Sequence, residues 1–510
     1  MNENLNNEQP SKHEIRIVFT GLMLALALSA LDQNIVSTAL PRIVGDLGGL
    51  NHLSWVVTAF MLTSTTTTPV YGKLSDLYGR KPMFFTAIIL FLIGSVLCGA
   101  AQTMFQLILF RAAQGLGAGG LITLAQTTIA DLISPRERGR YQGIFAGVFA
   151  VCSVAGPLLG GLITDVLSWR WIFYINIPVG VAALLLIAVG FRCPHRAVAH
   201  HIDYLGVILL TATTSCLLLV LTWGGTTYPW SSSIILGLAA GTAVFLVMLI
   251  INERRAIQPI LPVHLFDNRV FVISIIVIGI TFMALFNAAV FLPLYFQLVR
   301  GASPSVSGLM MAPLMTGVII SSFVGGRIVT ATGRYKIFPV IGLATASLSY
   351  FFIAQTALSA AHLAVIEAAI MMLGLGMGLV MPNLITAIQN AVPMEDLGTA
   401  TSTSSFFRSL GGAVGVAISG AVVTYELHDF LTAVMAGSPA DIQFLLERGT
   451  QQMAGLSVVQ QGAVVDAYRH AISAAFFTGA VLSGIAFAIV LFLPERPLRS
   501  TVIKSTDHLG

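Results

Sequence analysis

The sequence predicts an all-α membrane protein of fourteen transmembrane helices, built as two six-helix bundles plus two inserted helices. Three observations carry this prediction. The 510 residues are 56% hydrophobic and only 9% charged, where an ordinary soluble protein carries about 25% charge. Continuous apolar runs, each near the ~20 residues that a membrane helix needs, recur along the whole chain. A glycine-arginine pattern at residue 72 returns at residue 326, about half the chain later. The composition excludes a soluble globular enzyme, a disordered tail protein and a nucleic-acid binder. The net charge of +4 comes without any block of like charge, so the positions of the charges matter more than their sum.

The chain opens on the polar stretch MNENLNNEQPSKHEIR. It lacks the basic start and small-residue cleavage site of a secretory signal, so the first apolar run reads as a retained helix. Spans fall at 16–38, 54–72, 83–101, 105–127, 142–165, 172–191 and 204–222, then at 232–251, 271–297, 305–329, 338–357, 362–386, 403–424 and 470–493. Barrel strands alternate apolar and polar over ~10 residues, whereas these runs are continuously apolar and twice as long. With the N-terminus in the cytoplasm, nineteen of the 26 Lys and Arg residues fall in cytoplasmic segments and five in outer loops. That asymmetry predicts an even number of spans with both termini inside. Cys98, Cys152, Cys193 and Cys216 show no paired spacing, and neither a disulfide framework nor a zinc site is expected. The pairs His200-His201 and Glu395-Asp396 lack the further ligands of a metal site.

Span two ends in Gly72-Lys73-Leu74-Ser75-Asp76-Leu77-Tyr78-Gly79-Arg80-Lys81, and span ten in Gly326-Arg327-Ile328-Val329-Thr330-Ala331-Thr332-Gly333-Arg334-Tyr335. Both glycines and both following bases match, and both copies fall in loops on one side. That is the parallel-repeat plan of two-bundle secondary transporters. Six spans precede position 192 and eight follow it, so the halves equalise if spans seven and eight are an insertion. The organisation read from this is a six-helix bundle over 1–191, two additional helices with flanking linkers over 192–270, and a second bundle over 271–510. The second bundle carries a long outer loop at 425–469.

These residues also carry a resemblance. Gly72 to Pro82 resembles the signature loop between the second and third helices of the major facilitator superfamily. Arg111-Ala-Ala-Gln114-Gly115-Leu-Gly117 resembles its intramembrane-arginine motif. Gly147, then eight residues, then Gly156-Pro157-Leu-Leu-Gly160-Gly161, resembles its antiporter motif. Leu31 to Pro41 and Trp169 to Pro178 resemble signatures of its fourteen-helix drug:proton antiporters. The chain departs from the pattern at Asn34 and Ser37, where Thr and Asn are usual, and at Thr330, where the repeated loop lacks the acid of Asp76. The resemblance implies the major-facilitator fold and a proton-coupled antiporter exporting hydrophobic or cationic small molecules by alternating access. The alternative it leaves open is an exporter dedicated to one endogenous compound, such as a lipid, siderophore or metabolite. It implies a monomer in the inner or plasma membrane, with a small-molecule substrate and the lipid bilayer as partners. It implies no nucleic acid and no cofactor other than the proton as coupling ion. No nucleophile, base or metal cluster assembles as a polytopic membrane enzyme would require, and the repeated filter loops of a channel are missing.

Three charges stand inside spans without a cheap explanation. Asp32 lies sixteen residues above Arg16, roughly 24 Å up a ~30 Å core, where a carboxylate is costly unless it is hydrated, paired or protonated. Arg111 and Glu367 come out at a similar depth in spans four and twelve. The resemblance implies that spans one, four, nine and twelve line the cavity, which puts all three on cavity helices as candidates for proton coupling. Two roles fit Arg111, charge partner or clamp on backbone carbonyls. Two fit Glu367, coupling or snorkelling at an interface. Arg408 reads as a snorkelling base. For Gly72, Asp76, Gly79 and Arg80 the resemblance implies a latch between the bundles on the cytoplasmic side. Pro157 can kink span five, and Gly147, Gly156, Gly160 and Gly161 give a smooth face suited to pressing two bundles together. Asn34, Trp55, Gln114, Asn287, Tyr295, Met371 and Phe406 are candidates for the substrate surface, with Phe286, Phe407 and Met372 as further adaptable apolar groups. Trp55 also fits an interface anchor. In the outer loop, Pro439 to Glu447 reads as a short amphipathic helix, and an envelope partner is one role for it.

Overall fold

The computed structural model describes residues 12–48, 53–190, 203–225, 227–359, 362–434 and 458–498, which are helical with no β-sheet. The first bundle holds α1 (Lys12–Leu47), α2 (Leu53–Tyr78), α3 (Arg80–Ala100), α4 (Met104–Leu132), α5 (Pro135–Val166) and α6 (Trp171–Gly190). Two helices follow, α7 (Tyr204–Trp223) and α8 (Ser233–Glu253). The second bundle holds α9 (Arg269–Leu298), α10 (Ala312–Thr332), α11 (Ile337–Leu358), α12 (Leu363–Ala391), α13 (Leu397–Val434) and α14 (Val458–Val490). Thirteen of these are long and apolar enough to cross a membrane, and α2 is the fourteenth by length and position. Its Thr63–Thr68 run lowers its apolarity, but these hydroxyls bond to helix carbonyls: Thr63 to Ala59, Thr67 to Thr63, and Thr68 to Ser64 and to Gly119 of α4. Satisfied in this way, they cost little in hydrocarbon.

Local chemistry sets the helix ends. Thr103, Asp203, Ser232 and Asn268 each accept a first-turn N–H at the starts of α4, α7, α8 and α9, the usual N-cap device. Gly79 (φ 92°) separates α2 from α3, and Gly333 (φ 72°) closes α10. Both matching glycines of the repeat thus adopt a left-handed φ that a side chain would strain. The outer loop is shorter than the sequence suggested, because α13 continues to Val434 and α14 begins at Val458. The Pro439 to Glu447 segment lies outside the described residues, as do Cys193 and His200-His201.

Each bundle repeats the same packing. Gly115, Gly117 and Gly119 of α4 lie against Phe60, Phe91 and Ser64, and Gly374, Gly376 and Gly378 of α12 lie against Leu314, Gly342 and Val318. The cores are Leu, Ile, Phe and Ala clusters within each half. The halves meet at two pseudo-symmetric seams, α2 against α13 and α5 against α10. We call the end that carries Lys73, Arg80, Lys81, Arg136, Arg138, Arg334 and Lys336 the basic end, and it is where the seams are tightest. A Cβ on Gly72 would overlap the Ser402 side chain and come within 2.7 Å of the Gly398 oxygen. Gly72→Val is therefore expected to destabilise the protein by about 1–3 kcal/mol through overpacking. Gly237→Val on α8, where a Cβ meets nothing within 4 Å, is the control. Thermal unfolding in detergent reads both, and equal midpoints would remove the argument for close approach.

Candidate functional site

Two constellations stand out, one inside the first bundle and one across the basic end. In the first, α1, α3, α4 and α6 bring five polar side chains together. The Arg111 Nη1 donates to Asp32 Oδ2 at 2.6 Å and to Gln114 Oε1 at 2.7 Å. Gln114 Nε2 donates to Asp32 Oδ1 at 2.8 Å, and Asn176 Nδ2 donates to the same oxygen at 3.0 Å. Ser95 accepts from both amides and donates to the Phe173 carbonyl. The Arg111 guanidinium lies 4.0 Å from the Phe60 ring centroid, and its Nε reaches the Val56 carbonyl. Asp32 is 0% and Arg111 2% exposed. Each charge of this pair is opposed and hydrogen-bonded, which is what a buried ion pair needs to persist in a low-dielectric interior.

The second constellation ties the seams. Asp76 accepts from the backbone N–H of Gly398 (2.9 Å), the backbone N–H of Thr399 (2.8 Å) and the Thr399 hydroxyl (2.9 Å). A carboxylate thus caps the N-terminus of α13 from across the seam. Arg80 pairs with Asp76 at 2.6 Å and Asp131 at 2.7 Å, holding the α2–α3 turn against α4. The α5–α10 seam uses the opposite polarity. Arg136 donates to the Thr330 and Ala331 carbonyls at the end of α10. Where the first copy has Asp76 and Asp131, the second has Thr330 and Asn390, and Arg334 is left exposed. Lys81 and Lys336 keep their symmetry, each donating to a carbonyl at the basic end of the last helix of its bundle, Ala188 and Leu491. Between the seams, buried Arg138 donates to the Ala130 and Ile133 carbonyls of its own half and to Gln389 of α12.

Several expected positions differ. Glu367 is half-buried one turn into α12, in the other bundle, and makes no hydrogen bond or ion pair among the described residues, so it does not join Asp32 and Arg111. Gln114 belongs to the ion-pair network and not to a cavity wall. Asn287 is fully buried and bonds Ser419 and the Ala475 carbonyl, tying α9 to α13 and α14. Tyr295 is buried, packs edge-on to Phe476 and accepts from Arg300. Phe406 packs with Leu209, Leu210 and Leu249 of the inserted pair. Trp55 stacks edge-on with Trp223 of α7. Asn34 bonds the Ala30 carbonyl of its own helix. Met371 is half-buried, with its carbonyl 2.5 Å from where a Gly317 Cβ would sit. Three of the antiporter-motif glycines do not press the bundles together: Gly156 abuts Asn34 within its own bundle, and a Cβ on Gly147 or Gly161 would meet open space. The close interbundle contact on α5 is made by Gly139 and Gly143. Arg408 lies over the Phe282 ring at 5.8 Å, without an acid partner among the described residues. Sequence reasoning missed Ser95, Asp131, Asn176, Thr399 and the clamp by Arg138.

Two repeated six-helix bundles of membrane-spanning length, joined at two seams and holding a sealed ion pair, are the architecture of a two-bundle membrane transporter. The chain belongs to the Major Facilitator Superfamily, whose sequence profile matches residues 22–416. It is 41% identical over 416 residues to the multidrug transporter protein MdtP of Bacillus subtilis, covering 82% of this chain and 76% of that one. It is 37% identical over 504 residues to multidrug resistance protein 3 of the same species, covering 95% and 96%. Among solved structures it superposes on the proton:xylose symporter XylE with a TM-score of 0.62 at 13% identity, covering 95% and 96% of the two chains.

Proposed function

We propose that this transporter is a proton-coupled antiporter that exports hydrophobic or cationic small molecules through the plasma or inner membrane. Its basic end and both termini face the cytoplasm. The observation that carries the reading is the sealed Asp32–Arg111 pair, an acid and a base held on two different helices, α1 and α4. Ionised Asp32 collects three donors and so ties these helices together. A proton on Asp32 cancels the charge that opposes Arg111 and removes an acceptor site, which favours another arrangement of α1 against α4. The proton arrives from the outer side and leaves to the cytoplasm, and substrate moves the other way as the bundles rock. Gly72, Asp76, Gly79 and Arg80 act as the latch of the cytoplasmic seam, which an inward-facing state has to release. The multidrug names of two relatives support a broad substrate range. The protein works as a monomer with no cofactor.

The test uses inside-out vesicles with an acid lumen and ethidium as the reporter. The wild-type protein accumulates the dye against its gradient, and collapsing the pH difference releases it. Asp32→Asn keeps the volume and loses the titrating group, so uphill accumulation is expected to disappear while the protein still inserts. An Asn variant that drives uphill uptake with the wild-type pH dependence overturns the coupling assignment.

A further inference from the structure

Helix α6 is interrupted beside the ion pair. Its first turn covers Trp171–Tyr174, Ile175 leaves the helix, and the main run begins at Asn176. Pro178 accounts for the break, because it has no N–H to return to the Tyr174 carbonyl. At the break, the buried Ser95 hydroxyl of α3 donates to the Phe173 carbonyl at 2.8 Å. A hydroxyl has one proton. With that proton committed, the Ser95 oxygen can only accept, and it accepts from Asn176 Nδ2 at 2.9 Å and Gln114 Nε2 at 3.3 Å. Both amides therefore present their nitrogens inward, and the same nitrogens donate to Asp32 Oδ1. Arg111 occupies Asp32 Oδ2 and also holds Gln114 Oε1, so Gln114 is fixed from both ends. The segment before the break is fastened too. Trp169 Nε1 donates to Asp46 Oδ2 near the outer end of α1 at 2.8 Å, and Arg170 Nη2 donates to the Ala101 carbonyl after α3 at 3.1 Å. The stretch from Trp169 to Asn176 thus holds α1 at two places, Asp46 and Asp32.

We propose that Asn176 and Ser95 are positioning residues for proton uptake: the break in α6 aims their hydrogen bonds so that Asp32 is met by donors, and this sets the acidity at which Asp32 accepts its proton. The proposal rests on the proton-coupled reading above and gives the Trp169 to Pro178 segment its part in it. Donors favour the ionised carboxylate, whereas a protonated Asp32 needs an acceptor for its new O–H. Gln114 Oε1 is engaged with Arg111, so Asn176 is the amide placed to supply one, by turning its oxygen toward Asp32. Turning sets that oxygen against Ser95, which can respond only by withdrawing its proton from the Phe173 carbonyl. Proton uptake is thereby tied to the backbone of α6. Through Trp169 and Asp46 it is tied to the outer end of α1, the side from which the proton arrives in the proposed cycle.

The test reads Asp32 directly. In the reconstituted protein, the infrared C=O stretch of a protonated carboxyl that is lost in Asp32→Asn reports this residue as the pH is varied. Asn176→Leu removes the donor at similar volume, and Ser95→Ala frees both amides to turn. In each variant the midpoint of the band is expected to move to higher pH. For Asn176→Leu the move is about one pH unit, a tenfold change in proton concentration, as suits the loss of one hydrogen bond to a charged group. The pH profile of uphill ethidium uptake is expected to move with it. Thr213→Val is the control, since this buried α7 hydroxyl bonds the Leu209 carbonyl of its own helix, and it should leave both midpoints unchanged. Should Asn176→Leu fail to fold, Ser95→Ala carries the test alone. Wild-type midpoints in every folded variant, with only thermal stability lowered, would make these side chains packing groups and overturn the proposal. A band missing at every pH in the wild type and both variants overturns it as well. If wild-type vesicles accumulate no dye, the export reading fails, and the infrared titration, which needs no transport, still decides the positioning roles.

Discussion

Asp32→Leu is expected to be the most damaging single substitution in the first bundle, and Asp32→Leu combined with Arg111→Met is expected to restore most of the lost stability. Removing Asp32 leaves a guanidinium sealed at 2% exposure with the Gln114 oxygen, the Val56 carbonyl and the Phe60 and Phe173 rings around it but no opposing charge. Breaking a buried pair from one side costs about 3–5 kcal/mol, whereas replacing both partners by apolar groups of similar volume is often neutral or better. The neighbours tolerate the exchange, since Gln114 and Asn176 each retain Ser95 as an acceptor. Arg111→Met alone is expected to cost less than Asp32→Leu, because a lone carboxyl keeps two amide donors and can take a proton. Thermal unfolding of the four proteins in detergent gives the coupling energy. Uphill dye transport separates stability from mechanism: it is expected to be lost in all three variants, including the well-folded double variant. A double variant that transports uphill would make the pair a structural clamp.

How much of this was readable beforehand follows from what each signal is made of. The fourteen spans were legible because membrane helices write themselves as continuous apolar runs, and even the threonine-rich α2 keeps enough apolar residues over 54–72 to be read as one. Asp32 and Arg111 were legible because a charge in hydrocarbon is costly wherever it points. Their meeting was not, since that depends on how α1 and α4 are rotated. Asn176 and Ser95 carry no comparable signature, because a neutral polar side chain is common in helices. The similar inferred depth of Glu367 misled for the same reason: depth is a coordinate along an axis, and contact needs the azimuth as well. The aromatic and amide candidates share one difficulty. Phe406, Tyr295 and Asn287 fill bundle cores or the face beneath the inserted pair, and residue type alone does not separate a core-facing ring from a cavity-facing one. One available signal went unused. Gly115-Leu-Gly-Ala-Gly119 on α4 and Gly374-Leu-Gly-Met-Gly378 on α12 are a second copy of the repeat, and they align the two bundles without any structure.

At the basic end, Asp76→Ala is expected to shift the protein out of the closed-seam state far more than Arg136→Ala does. Asp76 accepts three hydrogen bonds from the first turn of α13 while pairing with Arg80. Hydrogen bonds to a charged group are worth about 1.5–3 kcal/mol each. The released N–H groups and Arg80 recover part of that from water and Asp131, so a net shift of about 2–4 kcal/mol is reasonable. A shift of that size changes the open-to-closed ratio by roughly 30- to 800-fold, enough to invert a population. Arg136 makes two bonds, both to carbonyls, from an exposed position, where water replaces the lost partner and the expected shift is below about 1 kcal/mol. Thr330→Val should change almost nothing, since the backbone oxygen of Thr330 is what Arg136 uses. Spin labels placed at the basic ends of α2 and α13 report the distance distribution by pulsed resonance, with transport measured alongside. In the proposed cycle a broken latch traps the inward-facing state, so Asp76→Ala should bind dye yet export it poorly. A distance distribution as narrow as that of the wild type would show that the glycine packing of Gly72 against Gly398 holds the seam without the carboxylate.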